Sequence, residues 1–508
     1  MHKFSEWEGE SKVKVLVLGI DALDCELLQK FADDLPNISR LRNQAKQLKV
    51  ISTFPPDSDT AWATIATGLN PAQHGIVRFV DPLEKSYQII NQGIDNKILH
   101  GKTFWEIAAK HRYKTIALFP HLCYPIWDAP GAVVARGSNV ADVQARPEEI
   151  ISEYPDPELL MGVRGFPDRG WRGLAEHADR LSKLTISDAE FALRILRERE
   201  WDLFFVYWST LDAIGHFFWN NFDPTDPGFE EGNPLQQIIP NTYQLYDKII
   251  GKFINEIDDD VVLIVMSDHG HGTRPYKLVN VNEILRQAGF LISSNITKKP
   301  HIHYYEKAKR FGVSTVTRFG LGKQAGRILR RFPGVVQKYT RPASINWQET
   351  LAYASDMSGI KSYSYGGIII NKPALNGRDY ETLRDEIIDL IIQKCVSTDG
   401  DPLVDFVTRR EDIYCGPYIK NYPDILIELK YGYGIGWAVN LPILTQAYTH
   451  NLVPGSHRGD TGTFFIRCKR PIWGNSVDLD QINPTVLDLF DIDEDYSHEA
   501  LSLFCSEK

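Results

Sequence analysis

The sequence predicts an α/β fold in which a doubly wound, mostly parallel sheet carries helices on both faces. Short apolar runs that suit strands buried on both faces occur at residues 13–18, 115–119, 203–208 and 261–266. Helical patterns lie between these runs, around residues 26–31, 103–111, 186–199 and 244–257. Because strands and helices alternate along the chain, neighbouring strands are expected to run parallel.

The composition indicates a globular enzyme. Of the 508 residues, 43% are hydrophobic and 24% are charged, which allows a large core. No apolar stretch approaches the roughly 18 residues of a transmembrane helix, and the first residues lack the features of a secretory signal, so we expect a cytoplasmic protein. The formal net charge of −10 argues against a stable complex with nucleic acid. Nothing in the sequence indicates the oligomeric state.

The six cysteines show neither CxxC pairing nor regular spacing. We therefore expect buried, reduced thiols instead of disulfides or a zinc ribbon. None of them is a candidate nucleophile.

One core is expected to span residues 1–508, with inserted segments at 120–180 and 298–346. The first is rich in Pro, Gly, Trp and Asp over residues 121–173, which suggests a segment that lines or covers the site. The second is basic, since residues 298–341 hold twelve Lys or Arg and a single acid, Glu306. It suits a solvated cap, an electropositive lid that attracts an anionic substrate, or a contact with membrane or nucleic acid. Segments after Trp347 are expected to complete the core.

Candidate ligands follow the predicted strands, where doubly wound sheets bind their ligands. The first strand is followed by Gly19, Ile20 and Asp21. The carboxylate of Asp21 is therefore expected at this edge of the sheet, although it could instead cap the helix that follows.

A second pair of candidate ligands, Asp212 and His216, comes directly after the strand predicted at residues 203–208. A separation of four positions places both side chains on one side of a helix, where they could bind one ion together. Chance or helix capping explains most such pairs.

The sequence SDHGHG, which follows the strand predicted at residues 261–266, supplies Asp268 and His269. Adjacent side chains at a strand end can reach two ions or two sides of one ion. Gly270 and Gly272 would let the backbone come close to an ion or a phosphate group.

A further histidine, His457, lies in a glycine-rich loop before an apolar strand, and it could equally be a surface residue. Carboxylate and imidazole ligands together suit zinc, with manganese as a credible substitute.

The candidate nucleophiles are Ser58 and Thr60, just before a helix predicted at residues 61–67. A hydroxyl there meets free backbone N–H groups and the positive end of the helix, which help to hold an anion. Metal binding would lower the pKa of such a hydroxyl. The alternative is that Ser58 only caps the helix.

In their order along the chain, these motifs resemble the alkaline phosphatase superfamily, in particular its type I phosphodiesterases, nucleotide pyrophosphatases and predicted phosphohydrolases or phosphomutases. The resemblance rests on GID at residues 19–21, TGLNPAQHGI at 67–76, D-x3-H, SDHG and the late histidine. It implies an alkaline phosphatase-like fold. The family nucleophile lies ten residues before the glycine at 68, which selects Ser58 over Thr60.

The resemblance also implies two divalent metal ions, Zn²⁺ first and Mn²⁺ as the alternative. One ion would be held by Asp21, Ser58, Asp268 and His269, and the other by Asp212, His216 and His457. Ser58 would attack phosphorus in line and form a covalent phosphoserine, which water then hydrolyses.

Two departures bear on specificity. Nucleotide pyrophosphatases usually place an asparagine three residues after the HGI isoleucine, where this chain has Phe79. Arg78 could supply a replacement charge for the substrate, or it could be an exposed loop residue. His271 is an extra histidine beside the site, a candidate substrate-binding residue, proton donor or outer-shell partner.

The resemblance therefore predicts a dimetal hydrolase of small-molecule phosphate esters, with diesters favoured. The alternatives are a phosphomonoesterase and a phosphomutase, in which the phosphoryl group returns to another hydroxyl of the substrate. Sulfatase activity is not expected, because the residues around Ser58 lack the C/S-x-P-x-R sequence that formylglycine formation needs.

Overall fold

A computed structural model of the chain describes residues 13–79, 95–137, 142–154, 167–168, 170–293, 345–355, 362–492 and 500–505. The predicted basic segment at 298–346 lies outside the described residues except for its last two, and so do parts of the 120–180 segment. One core with two inserted segments stays a prediction.

The regular elements of the described ranges begin and end as follows. The helices are α1 (Cys25–Lys30), α2 (Pro36–Gln44), α3 (Ser58–Thr67), α4 (Pro71–His74), α5 (Phe104–Lys110), α6 (Glu149–Glu153), α7 (Gly170–Glu198), α8 (Thr210–Phe222), α9 (Ile238–Asn255), α10 (Val281–Gln287), α11 (Tyr380–Lys394) and α12 (Ile482–Asp488). The strands are β1 (Val15–Ile20), β2 (Lys46–Ile51), β3 (Thr115–Leu118), β4 (Ala132–Arg136), β5 (Val143–Arg146), β6 (Leu203–Trp208), β7 (Val262–Met266), β8 (Gly270–Thr273), β9 (Lys277–Asn280), β10 (Ala352–Ser355), β11 (Tyr365–Ile370), β12 (Val404–Arg409), β13 (Ile425–Leu429), β14 (Tyr433–Gly436), β15 (Leu444–Gln446), β16 (Gly455–Arg458), β17 (Gly462–Arg467) and β18 (Ser476–Asp478).

The largest sheet has nine strands in the order β18-β2-β17-β7-β1-β6-β3-β4-β5. Parallel pairing joins β1 to β6 and β7, β3 to β6 and β4, and β18 to β2. Antiparallel pairing is limited to β17 with its two neighbours and to β5 at one edge. The predicted mostly parallel sheet is therefore confirmed, and its four predicted strands are β1, β3, β6 and β7.

Helices cover both faces of this sheet because alternate side chains of β1 point to opposite sides. Leu16 and Leu18 pack in an apolar cluster with α1, α2, α7, α8 and α9. Val15 and Val17 pack in a second cluster with α3, α5 and α12. A strand buried on both faces needs a continuous apolar sequence, which explains why β1 shows no alternation of polar and apolar residues.

A second, antiparallel sheet has the order β10-β11-β13-β12 and shares its own apolar cluster with α10 and α11. Strand-like segments after Trp347 were expected to complete the core. Of those segments, β17 joins the large sheet, whereas β11 and β13 belong to the second sheet. The difference arises because strand patterns do not specify which sheet a strand joins.

All six cysteines are free thiols, as predicted, but only Cys123 and Cys395 are buried. Among the described residues, no helix has both the length and the apolar character needed to cross a bilayer.

Gly19 in β1 provides a test of how the sheet positions the site. A Cβ atom at this position would lie 2.8 Å from the ring of Trp62 in α3 and 3.1 Å from that of Phe205. Because both rings are buried, we expect Gly19→Ala to lower the free energy of unfolding by about 1–3 kcal/mol through overpacking. Urea unfolding measures the change.

The matched control is Gly459→Ala, whose Cβ atom would meet Pro56 at 3.5 Å, an ordinary van der Waals distance. Equal stability of the two variants would contradict a tight contact between β1 and α3.

Candidate metal centre

Three strand ends meet at the middle of the large sheet. Strands β6, β1 and β7 lie side by side and run parallel, so their carboxyl ends share one edge. Asp21 follows β1, Asp268 comes two residues after β7, and Asp212 lies in the first turn of α8, just beyond β6. The side chain that caps α1 is Asp24, not Asp21. The carboxylate of Asp21 is therefore left for the site.

The first group of donor atoms is formed by Asp21, Ser58, Asp268 and His269. From His269 Nε2, Ser58 Oγ and Asp268 Oδ2 each lie at 3.2 Å, and Asp21 Oδ1 lies at 3.5 Å. Ligands bound to one zinc ion at about 2.0–2.2 Å with tetrahedral angles are about 3.3–3.6 Å apart. The two aspartates and the histidine are almost completely buried.

The second group is formed by Asp212, His216 and His457. Helix α8 places Asp212 Oδ1 at 3.5 Å from His216 Nε2, as the spacing predicts. His457 Nε2 lies 3.3 Å from Asp212 Oδ1 and 3.1 Å from His216 Nε2. All seven predicted ligands thus lie in two groups.

The two groups adjoin each other. Donor atoms of Asp212, His269 and His457 lie within 4.8 Å of one another. The rings of His269 and His457 stack with their centroids 4.0 Å apart. Side chains from five separate segments therefore converge on one small volume.

Backbone carbonyls orient the three imidazoles. His216 Nδ1 donates to Gly455 O at 3.0 Å, His457 Nδ1 to Pro56 O at 2.6 Å, and His269 Nδ1 to Gly270 O at 2.9 Å. With the proton on Nδ1, each neutral ring presents the lone pair of Nε2 to the centre. Two such lone pairs at 3.1 Å, on His216 and His457, repel each other unless a proton or a cation lies between them.

Three carboxylate oxygens that face the centre have no hydrogen-bond partner among the described residues: Asp21 Oδ1, Asp212 Oδ1 and Asp268 Oδ2. Burial raises the pKa of Asp21 and of Asp268 well above the usual value, and repulsion adds to it, from Asp268 and Asp212 on Asp21 and from Asp212 on Asp268. Buried oxygens without donors are costly unless cations compensate them. The donor set therefore fits divalent metal ions.

Charge in the second group is balanced differently. Burial raises the pKa of Asp212, but the surrounding imidazoles of His216, His457 and His271 outweigh it, so this pKa lies well below its usual value. Burial opposes protonation of His457, yet Asp212 raises its pKa overall. In the metal-free protein, a proton on His457 can therefore take the place of a cation.

His457 lies in strand β16, not in the loop that its glycine-rich sequence suggested. Strand β16 pairs antiparallel with β8, and His457 is opposite His271. Arg274, which is completely buried, donates to Gly455 O at 2.7 Å, Val453 O at 2.7 Å and Ser362 O at 3.0 Å. The guanidinium thus fixes the chain that carries His457 and shares the carbonyl that orients His216.

Ser58 occupies the first position of α3, and the capping residue is Asp57, whose side chain accepts from the backbone N–H of Asp59. Capping therefore does not require the Ser58 hydroxyl. Thr60 is fully buried and its hydroxyl has no partner among the described residues. Of the two candidate nucleophiles, Ser58 is the one in contact with a predicted metal ligand.

Arg78 lies beside the start of α3. Its Nε is 3.6 Å from Asp57 Oδ1 and 3.5 Å from Asp59 Oδ2, so two carboxylates flanking Ser58 hold it in place. Asp59 Oδ1 also pairs with His121 Nε2 at 2.8 Å. Burial disfavours the charged form of His121, but Asp59 raises its pKa overall.

Asp59 and His121 were missed in the sequence, because their pairing spans more than sixty positions. Phe79, in place of the family asparagine, is buried in an aromatic cluster with Phe54, Tyr365 and Tyr422.

His271 lies in β8 with its side chain buried, and its Nδ1 is 3.6 Å from Asp212 Oδ1. Burial lowers its pKa to about 3, so the ring is neutral. A contact between His271 and substrate stays a prediction.

Two further residues that the sequence did not reveal orient Asp21. Tyr207 donates its hydroxyl to Asp21 Oδ2 at 2.6 Å, and Trp62 donates its indole N–H to the same oxygen at 3.2 Å. Both bonds direct the other oxygen, Oδ1, towards His269. Tyr207 was overlooked because it lies within an apolar strand.

A cavity of about 1110 Å³ reaches the site beside Pro56 and His457. Its lining also includes Phe406 and Glu428, from β12 and β13 of the second sheet. The cavity offers room for an organic group next to the second group of ligands.

A model of the type I phosphodiesterase / nucleotide pyrophosphatase family matches residues 15–435. The match includes six of the seven predicted ligands, and His457 lies beyond it. No curated protein shows significant sequence similarity to the chain.

Solved structures similar to this chain share its fold at low sequence identity. Human ectonucleotide pyrophosphatase / phosphodiesterase 5 is 14% identical, with 96% of this chain and 97% of that chain covered and a TM-score of 0.50. Phosphonoacetate hydrolase from Sinorhizobium meliloti in complex with phosphonoacetate is 13% identical, with 94% and 96% covered and a TM-score of 0.54.

Tyr207→Phe should weaken binding of a metal ion at the first group by about tenfold to 100-fold, because Asp21 loses its shorter orienting bond. Calorimetric titration of metal-free protein with Zn²⁺ measures this. Tyr246→Phe is the control, since it removes a buried tyrosine hydroxyl that contacts none of the predicted ligands. An unchanged affinity in Tyr207→Phe would contradict the orienting role.

Metal binding should release protons at pH 7. Asp21, Asp268 and His457 all have raised pKa values, so each holds protons to a higher pH than usual, and bound cations displace them. Affinity should therefore increase as the pH rises. Calorimetry in two buffers of different ionisation enthalpy counts the released protons, and a count of zero would contradict the account.

Proposed function

The chain belongs to the type I phosphodiesterase / nucleotide pyrophosphatase family, and we propose that this member is a phosphodiesterase with two divalent metal ions and a phosphoserine intermediate. The main support is that two adjoining groups of buried carboxylate and imidazole donors lie beside one hydroxyl, Ser58 Oγ, which is 3.2 Å from His269 Nε2.

The two ions would be held by the two groups of side chains. Asp21, Ser58, Asp268 and His269 would bind the first ion, and Asp212, His216 and His457 the second. Nitrogen and carboxylate oxygen donors suit Zn²⁺, with Mn²⁺ as the alternative. When bound, such ions lower the pKa of a serine hydroxyl and neutralise charge on phosphoryl and leaving-group oxygens.

Ser58 would act as the nucleophile. Its Oγ forms a bond to phosphorus as the bond to one ester oxygen breaks, which gives an alcohol that takes up the serine proton and a phosphoserine that still carries the other ester group. Water then attacks this phosphorus, the bond to Ser58 Oγ breaks, and the phosphomonoester leaves with the serine hydroxyl restored. The first turn of α3 supplies backbone N–H groups and a positive helix end close to the phosphoryl group.

A diester is favoured over a monoester on two grounds. The positive charge of Arg78 is already balanced by Asp57 and Asp59. This arginine therefore leaves no positive charge free to bind the second negative charge that a phosphate monoester carries. The cavity beside His457 can hold a second organic group. Monoester hydrolysis and phosphoryl transfer within a substrate are the alternative functions. A cytoplasmic location and substrate contacts by Arg78 and His271 stay predictions.

Ser58→Ala should lower kcat by about 10⁴-fold or more, because it removes the hydroxyl that would form the covalent intermediate. The measurement is hydrolysis of bis(4-nitrophenyl) phosphate, with 4-nitrophenyl phosphate as the competing monoester, by zinc- and manganese-loaded protein. Wild type should hydrolyse the diester with the higher kcat/KM.

Thr60→Val is the matched control, since it removes the neighbouring hydroxyl and keeps the side-chain shape. It should retain activity within a fewfold of wild type. Substantial turnover by purified Ser58→Ala would refute the nucleophile, and a preference for the monoester would refute the substrate class.

A further inference from the structure

The ring of His271 lies in a slot between two elements that carry predicted metal ligands. One wall is Gly215, next to His216 in α8, and the other is Gly455, two residues before His457 in β16. A Cβ atom at Gly215 would lie 2.7 Å from the His271 ring, and one at Gly455 would lie 2.5 Å from its Nε2. The slot therefore depends on both positions being glycine.

Burial of His271 leaves both of its nitrogens without a hydrogen bond. The residue is only 3% exposed, and neither Nδ1 nor Nε2 has a partner among the described residues. Nε2 faces the wall of the slot, where a Cβ atom at Gly215 would lie 2.7 Å from it. With the ring proton on Nε2, the lone pair of Nδ1 is directed at Asp212 Oδ1, 3.6 Å away, an oxygen that also has no partner among the described residues. A buried lone pair facing a carboxylate needs a cation.

The position of His271 Nδ1 matches those of the predicted ligands. Asp212 Oδ1 lies 3.3 Å from the donor atom of His457 and 3.5 Å from that of His216. The distance of 3.6 Å to His271 falls in the same range, which is that expected between two ligands of one zinc ion, about 3.3–3.6 Å. Donor atoms of Asp212, His216 and His271 also lie within 4.8 Å of one another.

We propose that His271 Nδ1 is a fourth protein ligand of the second ion, in addition to Asp212, His216 and His457. This inference rests on the proposed two-metal function. Four protein ligands would fill a tetrahedral zinc site, so the ion must accept a fifth ligand when it binds a substrate oxygen. His271 would then hold the ion firmly in the absence of substrate.

His271→Phe tests this proposal, because a phenyl ring fills the slot but has no nitrogen. Metal-free protein is titrated with Co²⁺, and binding is followed by calorimetry and by the visible d–d spectrum. The first ion should bind as in wild type, whereas the second should bind about tenfold to 100-fold more weakly and with an altered spectrum. His271→Asn, whose amide oxygen can take the position of Nδ1, should restore part of the affinity.

His177→Phe is the matched control, since His177 in α7 has the same exposed fraction of 3% but is not one of the predicted metal ligands. It should bind both ions as wild type does. If the melting temperature shows that His271→Phe does not fold, the affinities of His271→Asn and His271→Ala for the second ion are compared instead. The Asn variant should bind this ion more tightly, because only its side chain keeps an atom that can bind a metal.

If His271→Phe binds both ions with the affinity and the spectrum of wild type, this inference is overturned and the proposed function stays intact. Failure of wild type to bind a second ion would instead refute the proposed function itself.

Discussion

Electrostatic repulsion among buried donors governs this structure. Three carboxylates and three imidazoles lie within a few ångströms of one another, and the three carboxylate oxygens that face the centre have no hydrogen-bond donor among the described residues. In a medium of low polarity, such an arrangement costs several kcal/mol per uncompensated charge. Protons on Asp21, Asp268 and His457 can relieve part of the cost, and divalent cations can relieve more of it. The site is therefore best understood as a negatively charged cage that is completed by cations.

The scaffold holds this cage together through contacts that are strong without the ions. Parallel pairing of β1 with β6 and β7 fixes three strand ends at one edge. Tyr207 and Trp62 direct Asp21, backbone carbonyls direct the three imidazoles, and Arg274 ties β16 to the rest of the site. Because these contacts do not involve an ion, the positions of Asp21 and of the three imidazoles are set before a metal ion or a substrate arrives, which reduces the reorganisation that catalysis requires.

The sequence was most informative where a residue's role depends on its position along one strand or helix. Asp21, Asp212 and Asp268 follow apolar runs, and His216 lies one helical turn after Asp212, so periodicity was enough to make them candidates, and the family resemblance then favoured metal binding over capping. It was not enough for Asp59, His121, Tyr207 or Arg274, whose partners are distant in sequence. His457 was assigned to a loop because its two flanking glycines obscured a short strand. The second sheet was not foreseen for a related reason, since apolar patterns identify strands and not their partners. The two insertions lie wholly or partly outside the described residues, and their roles stay predictions.

Anomalous X-ray scattering from crystals of zinc-loaded protein, recorded on both sides of the zinc absorption edge, tests the two-ion cage most directly. The account predicts two zinc peaks, one among Asp21, Ser58, Asp268 and His269 and the other among Asp212, His216 and His457. A single peak, or peaks away from these side chains, would contradict it.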